Sequence, residues 1–275
     1  MSNTISKFID GMISSITLPL STRQRKRVIA RVINRLEQKS LSEVSTSKGK
    51  LHFYSLKSGF TASAVERFHE DEPETLSWID SFDEGEIFWD IGANIGVYSL
   101  YASLINGVTV FAFEPSGFNF GLLVEHIALN KKDSQIKPLC IAFGNNTCLG
   151  NLKLSSTHTG HAGNNLSESP GASVYNDAAF NQAITAYSID DFIMKFNLPV
   201  PNHIKLDVDG IEPLILKGAE KTLKEINSMM IEVERDNVKN FVDYIETPLK
   251  NAGLEEILEI RSMGHGRNRL FIRKQ

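Results

Sequence analysis

The residues with the clearest chemical meaning are an acid and two glycines at the end of a short apolar run. Asp90 lies inside the run at residues 87–91, which reads as a buried strand, and Gly92 and Gly96 complete the spacing D-x-G-x-x-x-G. A strand followed by a glycine turn and a helix brings backbone N–H groups up to a ligand. A dinucleotide site needs glycines in a different spacing, and an acid at this turn would repel a pyrophosphate. The pattern therefore favours a ligand with a cationic group, with a plain strand-to-helix turn as the alternative.

A second acid, Glu114, lies 24 residues after Asp90 and ends another apolar run at residues 108–113. An acid about 20 residues beyond a glycine turn can hold the two hydroxyls of a ribose, because a carboxylate accepts several hydrogen bonds at once. Pro115 then turns the chain into the next helix. Helix capping is the alternative role for Glu114.

A lysine and three acids form a third cluster, in the stretch K-L-D-V-D-G-I-E at residues 205–212. In an extended strand Lys205, Asp207 and Asp209 fall on one face, and Glu212 begins the next helix. Such charges are costly to bury unless they are paired. The cluster could orient an acceptor, take its proton or hold a divalent cation through oxygen ligands. A Lys–Asp ion pair with a capping glutamate is the alternative.

Other acids and histidines give weaker signals. Glu232 and Glu234 share one face of a later predicted strand and could join the 205–212 cluster. His158 and His161 lie in a polar, glycine-rich stretch at residues 157–173, which we interpret as a loop with solvated histidines.

Alternating strands and helices are expected to position these residues. This alternation predicts a mostly parallel sheet that ends in an antiparallel hairpin, and ligands in such sheets bind at the carboxyl ends of the strands. Core strands are predicted at 87–91, 108–114, 135–143, 203–208 and 228–234, shorter strands at 51–56, 151–155 and 184–188, and the closing hairpin at 254–260 and 269–272. Helices are predicted from about 72, at 97–104, 117–129, 189–196, 212–225 and 237–251.

The first 40 residues combine helical apolar spacing with a strong positive charge. Apolar residues recur at helical spacing in two stretches separated by Pro19, and eight Lys and Arg oppose only Asp10 and Glu37, a net charge of +6. A helical cap docked on the main domain is the favoured interpretation. Peripheral contact with a membrane surface is the alternative.

Composition narrows the class of protein. The chain of 275 residues is 41% hydrophobic with a formal net charge of −4, which argues against a dedicated nucleic-acid binder. Two cysteines do not make a disulfide framework, and no apolar run approaches the roughly 20 residues of a membrane span. With no secretory signal in view, a cytoplasmic location is expected.

Five segments together resemble the FkbM-type family of S-adenosylmethionine-dependent methyltransferases. The D-x-D-G-x-E block is the most specific of them, since it distinguishes this family from methyltransferases in general. The resemblance implies a Rossmann-like methyltransferase fold, and several family members methylate sugar or polyketide hydroxyls. The matching segments are residues 88–100, 110–116, 122–130, 204–219 and 230–234.

The resemblance also implies roles for individual residues. It implies S-adenosylmethionine as the cofactor and O-methylation of a hydroxyl on a sugar, glycan or related small molecule, with Asp207 as the expected base. Residues 1–45 would be a helical extension and residues 46–275 the methyltransferase domain. The cofactor-binding residues would be Asp90, Gly92, Asn94, Gly96, Glu114 and Pro115, and the reaction centre Lys205, Asp207 and Glu212.

The sequence leaves two alternative functions. An NAD-dependent oxidoreductase or epimerase could use a similar sheet, but the dinucleotide glycines and a Tyr-x-x-x-Lys pair are missing. A non-catalytic binding module could keep the fold, but the intact Asp90, Glu114 and Asp207 disfavour it. The sequence identifies neither the acceptor nor the oligomeric state.

Overall fold

The computed structural model describes residues 2–57, 59–166, 178–233 and 241–274. Glu234, residues 167–173 of the predicted loop and residues 237–240 of a predicted helix lie outside this part. The strands are β1 Leu41–Thr46, β2 Gly49–Tyr54, β3 Ile87–Ile91, β4 Thr109–Phe113, β5 Ile136–Leu139, β6 Ala142–Phe143, β7 Cys148–Leu154, β8 Asn165–Leu166, β9 Phe180–Tyr187, β10 His203–Leu206, β11 Ser228–Glu232, β12 Leu254–Glu256 and β13 Asn268–Arg273. The α-helices are α1 Ser2–Thr17, α2 Thr22–Lys39, α3 Gly59–Glu66, α4 Pro73–Asp80, α5 Val97–Ala102, α6 Gly117–Leu129, α7 Ile189–Phe196, α8 Glu212–Lys217 and α9 Thr247–Asn251.

A seven-stranded sheet of order β12-β13-β11-β10-β3-β4-β5 forms the centre of the described chain. Strands β11, β10, β3, β4 and β5 run parallel, whereas β13 is antiparallel to β11 and β12 is antiparallel to β13. The predicted α/β class, with a mostly parallel sheet and a C-terminal antiparallel hairpin, is confirmed. Because β10 and β3 are neighbours, their carboxyl ends lie side by side.

Two apolar layers cover the two faces of this sheet. Along β3 successive side chains point to opposite faces, so Phe88 packs in one layer and Trp89 and Ile91 in the other. All three are at most 2% exposed. The sheet is therefore a rigid platform for the loops that follow its strands.

A second, four-stranded sheet of order β6-β9-β7-β8 packs on the Trp89 layer. The sequence predicted only short strands at 151–155 and 184–188, whereas β7 and β9 pair antiparallel along their whole length. Residues 165–166, predicted as loop, form β8. Pairing with a distant strand stabilises these polar segments, and the local pattern does not show it.

An antiparallel hairpin of β1 and β2 precedes the main domain, and β1 was not predicted. Two side chains hold it, one within α6 and one at the C-cap of α6. His126 Nε2 accepts a hydrogen bond from Tyr54 N at 3.1 Å, and Asn130 both accepts from His52 N and donates to His52 O, each at 2.8 Å. The boundary predicted between residues 45 and 46 falls inside β1.

The two predicted N-terminal helices are confirmed. A cap docked on the main domain, the favoured interpretation, would bury their apolar faces, and the structure does not show this burial. No residue of α2 is buried, and Phe8 of α1 is 68% exposed. In the described chain, no helix is both long and apolar enough to cross a membrane.

The C-terminal third contains three further differences. The helix predicted at 212–225 ends at Lys217, because the N–H groups of Lys221 and Thr222 donate to Asp190 instead of continuing the helix. Residues 258–260, the end of the strand predicted at 254–260, belong to a 3-10 helix, Leu258–Ser262. Residues 242–246 form a π-helix ahead of α9.

Candidate active site

A cavity of about 370 Å³ opens at the carboxyl ends of β3, β4 and β10. One part is lined by the glycine turn and the end of β4, and the other by the end of β10 and the chain around α4. The predicted site residues that line the cavity are Gly92, Asn94, Glu114, Pro115, Lys205 and Asp207. The structure therefore brings together six of the nine residues predicted from the sequence.

The glycine turn is shaped by a close approach between two strands. Gly92 has φ 89°, and a Cβ at this position would lie 1.8 Å from Asp207 O. A side chain there would force the end of β3 away from the end of β10. The turn and Asp207 are thus in direct contact.

Gly96, the second glycine of the turn, lies where α5 meets α6. It is buried, has φ 89° and precedes α5, and a Cβ would lie 2.5 Å from Leu123 Cδ1. Gly96 does not line the cavity, and its lack of a side chain lets α5 pack against α6.

Asn94 and Glu114 join the turn to the end of β4. Asn94 has φ 49°, and its backbone N donates to Glu114 Oε2 at 2.9 Å. Glu114 Oε1 accepts from Ser116 N at 2.8 Å. Burial raises the pKa of Glu114 to about 7, against the lowering effect of these backbone hydrogen bonds. Asn119 Nδ2 also donates to Oε1, at 3.4 Å, so Oε2 is the oxygen that can accept a further hydrogen bond from a ligand.

Residues 159–164 form a flap over this part of the cavity. Asn119 of α6 holds it at two points, since Oδ1 accepts from Gly160 N at 2.7 Å and Nδ2 donates to His161 O at 3.1 Å. Asp209 Oδ2 accepts from Gly163 N at 2.7 Å. The flap therefore links α6 to the loop after β10. Asn119 was not identified from the sequence, because its contacts depend on where the flap lies.

The wall next to Glu114 is apolar. It consists mainly of side chains from β6, β7 and β8, which the second sheet supplies. Such a wall suits a flat ring with little charge. The lining residues are Ile141, Ala142, Phe143, Leu152 and Leu166.

In the other part of the cavity Lys205 is surrounded by acids. Its side chain is 3% exposed, its Nζ lies 2.6 Å from Asp207 Oδ2 and 3.8 Å from Glu72 Oε2, and it lies over the Tyr98 ring. Burial alone would lower the pKa of Lys205, but Asp207, Glu72 and Asp90 together raise it. Lys205 is therefore a permanent cation, as a buried lysine with several acidic neighbours must be.

Asp207 and Glu232 are a hydrogen-bonded pair of acids. Burial would raise the pKa of Asp207, but Lys205 and a hydrogen bond from Glu232 lower it below its usual range. Burial and the adjacent Asp207 raise the pKa of Glu232 to about 10, and Arg267 Nη1 lies 3.0 Å from Glu232 Oε1. At neutral pH Glu232 is thus the acid that donates, and Asp207 is the carboxylate that accepts. Glu232 joins the cluster, as the sequence suggested.

Asp90 is the main correction to the predicted site. It is 1% exposed, Ser99 Oγ donates to its Oδ2 at 2.5 Å, and it does not line the cavity. Register explains this position: Asp90 lies opposite Lys205 on the adjacent strand. Burial raises the pKa of Asp90, and the Lys205 cation offsets only part of this rise. Its carboxyl group therefore faces Lys205.

Two other acids near residue 210 also differ from the prediction. Strand β10 ends at Leu206, so Asp209, with φ 61°, leaves the face of Lys205 and holds the flap. Glu212 is fully buried and accepts from Val208 N and Gly210 N. Burial raises the pKa of Glu212 to about 7. Glu212 shapes the loop that carries Asp207 and does not itself reach the cavity.

Several lining residues were missed or only weakly indicated by the sequence. Glu72 and Glu74 come from the start of α4 and Asn268 from the start of β13. Glu74 is 1% exposed, and its Oε1 accepts from Asn268 Nδ2 at 2.9 Å. No short motif unites residues so far apart in sequence.

In the part of the chain that the structure describes, no group of three or more His, Cys, Asp or Glu side chains could hold a metal ion.

The parallel sheet with its ligand cavity at the strand ends is that of a Rossmann-like methyltransferase. The model of the methyltransferase FkbM domain matches residues 90–270. The chain therefore belongs to the FkbM methyltransferase family, and the resemblance noted in the sequence is confirmed.

Individual relatives are more distant. Hexuronic acid methyltransferase AglP of Haloferax volcanii is 26% identical over 155 residues, which span 56% of this chain and 59% of that protein. Methyltransferase FkbM from Methylobacillus flagellatus KT is 19% identical, with a TM-score of 0.48, covering 77% of this chain and 51% of that chain. A precorrin-6y C5,15-methyltransferase from Geobacter metallireducens GS-15 is 14% identical, with a TM-score of 0.43 and coverages of 74% and 87%.

Proposed function

We propose that this methyltransferase transfers the methyl group of S-adenosylmethionine to a hydroxyl of a sugar or glycan. The observation that carries the proposal is the position of Asp207. Its backbone contacts the glycine turn, and its carboxylate lies in the other part of the cavity beside Lys205. A carboxylate is thus held between a cofactor-sized site and a space for an acceptor.

The residues around the glycine turn fit the cofactor. The Oδ1 atom of Asn94 is buried with no hydrogen-bond partner among the described residues, and such an atom is costly unless a ligand donates to it. Glu114 would hold the ribose hydroxyls, Pro115 and the apolar wall would contact the adenine ring, and Asn94 would receive a donor of the cofactor. When bound, S-adenosylmethionine supplies an electrophilic methyl group on a sulfonium sulfur.

The acceptor hydroxyl is a poor nucleophile at neutral pH, so a base assists it. Asp207 would accept the proton of the acceptor hydroxyl, whose oxygen would take up the methyl group that S-adenosylmethionine supplies. Lys205 and Glu232 keep Asp207 ionised before the transfer. The rest of the chain contributes mainly by holding the two reactants in line.

The acceptor class rests on the family and on its relative. AglP is named as a hexuronic acid methyltransferase, and the cavity offers the carboxylates and the amide that hydrogen-bond to sugar hydroxyls. A carbohydrate hydroxyl is therefore the proposed acceptor.

Two measurements test this function separately. Calorimetry should show that S-adenosylhomocysteine binds and NAD does not, and the opposite result would contradict the cofactor assignment. With labelled S-adenosylmethionine and a glycan extract of the source organism, Asp207→Asn should lose at least about 100-fold in methyl transfer. Its affinity for S-adenosylhomocysteine should stay within a few-fold, and loss of both would show that Asp207 belongs to the cofactor site.

A further inference from the structure

The N-terminal helices expose an apolar surface. Apolar side chains spaced three and four residues apart on α1 are between 47% and 70% exposed, and three apolar side chains of α2 are between 37% and 57% exposed. The spacing on α1 places its side chains along one face of that helix. We call this set the N-terminal apolar face; it consists of Ile5, Phe8, Ile9, Met12, Ile16, Val28, Ile33 and Leu36.

Helix α2 carries a strong positive charge, with seven Lys and Arg against Glu37, whereas Lys7 and Asp10 balance each other in α1. Eight Lys and Arg oppose two acids in residues 1–40, whereas the whole chain has a net charge of −4. None of these eight cations forms an ion pair with an acidic residue that the structure describes. Arg25 instead donates to the carbonyl oxygens of Thr17 and Leu18, which joins the end of α1 to α2.

We infer that α1 and α2 form a binding surface for anionic membranes. Amphipathic basic helices lie in the plane of a bilayer with their apolar side chains in the headgroup and acyl boundary. Lys and Arg near an anionic leaflet add to the attraction. An anionic lipid surface satisfies both properties of these helices at once.

Other occupants satisfy only one of the two properties. A second copy of the chain would cover the N-terminal apolar face but would bring two segments of charge +6 together. A polyanion in solution would neutralise the cations but leave Phe8, Met12 and Ile16 in water. Membrane binding needs no assumption about the methyl acceptor, so this inference is independent of the proposed function.

Vesicle flotation of the full chain tests the inference. The protein should float with vesicles of equimolar phosphatidylglycerol and phosphatidylcholine and not with phosphatidylcholine alone, and added salt should weaken binding. A variant with Phe8→Glu and Met12→Glu should lose at least roughly tenfold in bound fraction. Arg31→Gln with Arg35→Gln should have a comparable effect. Leu149→Glu, at an exposed apolar position of β7, is the matched control and should bind as the wild type does.

Three results would overturn the inference. The first is absence of flotation with the anionic vesicles, in protein whose circular dichroism and melting show that it is folded. The second is flotation that the Phe8 and Met12 substitutions leave unchanged. The third is a dimer by light scattering that these substitutions convert to a monomer, without vesicle binding, since a second copy would then cover the N-terminal apolar face.

Discussion

At the scale of single residues, Glu114 offers a sharp test of the cofactor site. A ribose donates its hydroxyl protons to a carboxylate, and hydrogen bonds to a charged group contribute about 1.5–3 kcal/mol. Glu114→Gln should therefore weaken S-adenosylhomocysteine binding roughly 10- to 100-fold in calorimetry. Glu220→Gln, at an exposed glutamate that does not line the cavity, should leave the affinity unchanged.

The pH dependence of this binding follows from the pKa of Glu114, which burial raises to about 7. Binding requires the carboxylate, so the affinity should be full at pH 8 and should fall as the carboxyl protonates below pH 7. At pH 6 the affinity should be about tenfold lower than at pH 8. The Gln variant should show little difference between pH 6 and pH 8. A wild-type affinity that does not change with pH would contradict the role of Glu114.

Glu232 should control the ionisation of Asp207. A hydrogen bond to the charged form of an acid lowers its pKa, and Glu232 supplies such a bond. In Glu232→Ala this donor is lost, so the pKa of Asp207 should rise, whereas Glu232→Gln keeps a donor and should largely restore the low value. The carboxyl ¹³C resonance of Asp207, assigned by its loss in Asp207→Asn, reports both variants. An Asp207 pKa that is equal in wild type and Glu232→Ala would contradict this role of Glu232.

At the scale of elements, His126 ties three of them together. His126 lies in α6. Its Nδ1 donates to Ile95 O in the glycine turn, and its Nε2 accepts from Tyr54 N in β2. Burial lowers the pKa of His126 to about 4. The hydrogen bond from Tyr54 requires neutral imidazole, so the native state resists protonation that the unfolded chain accepts below its pKa of about 6.5.

This difference predicts a loss of stability in acid. The contribution of His126 is complete above pH 6.5 and is lost as the pH falls toward 4, to a total of about 3 kcal/mol. The free energy of unfolding in urea at pH 7 and pH 5 should therefore change more in wild type than in His126→Gln. The difference between the two proteins isolates His126 from the carboxyl groups whose pKa values are raised. Parallel pH profiles of wild type and variant would contradict this role.

The elements also show what the sequence could predict. The helix at residues 117–129 and the glycine turn were predicted in place, because their periodicity and spacing are local signals. Strand β1 was missed, because its pairing with β2 stabilises a segment with only two apolar side chains. Asp90 was identified as important but its partner was not, because its contact with Lys205 arises from strand order and register. Local pattern thus predicts elements, and their lateral arrangement decides which side chains meet.

At the scale of the whole molecule, the structure predicts two regions of unequal stability. The sheet and its two apolar layers form one cooperative unit, and the cavity is built from loops anchored to it. Helix α2 contains no buried residue, so its amide hydrogens can exchange without opening the core. A ligand in the cavity should therefore protect the first region and not the second.

Hydrogen–deuterium exchange measures this separation. With S-adenosylhomocysteine at about 100 times its Kd, the core gains about 2.7 kcal/mol, so exchange of the slowest amides of β3 should slow roughly 100-fold. Residues 92–96, 114–119 and 159–164 should also gain protection, because their amides line the cavity or hold the flap over it. Exchange in α2 should change less than about twofold, and NAD should protect neither region. Equal protection of α2 would mean that the N-terminal helices belong to the cooperative unit that binds the ligand.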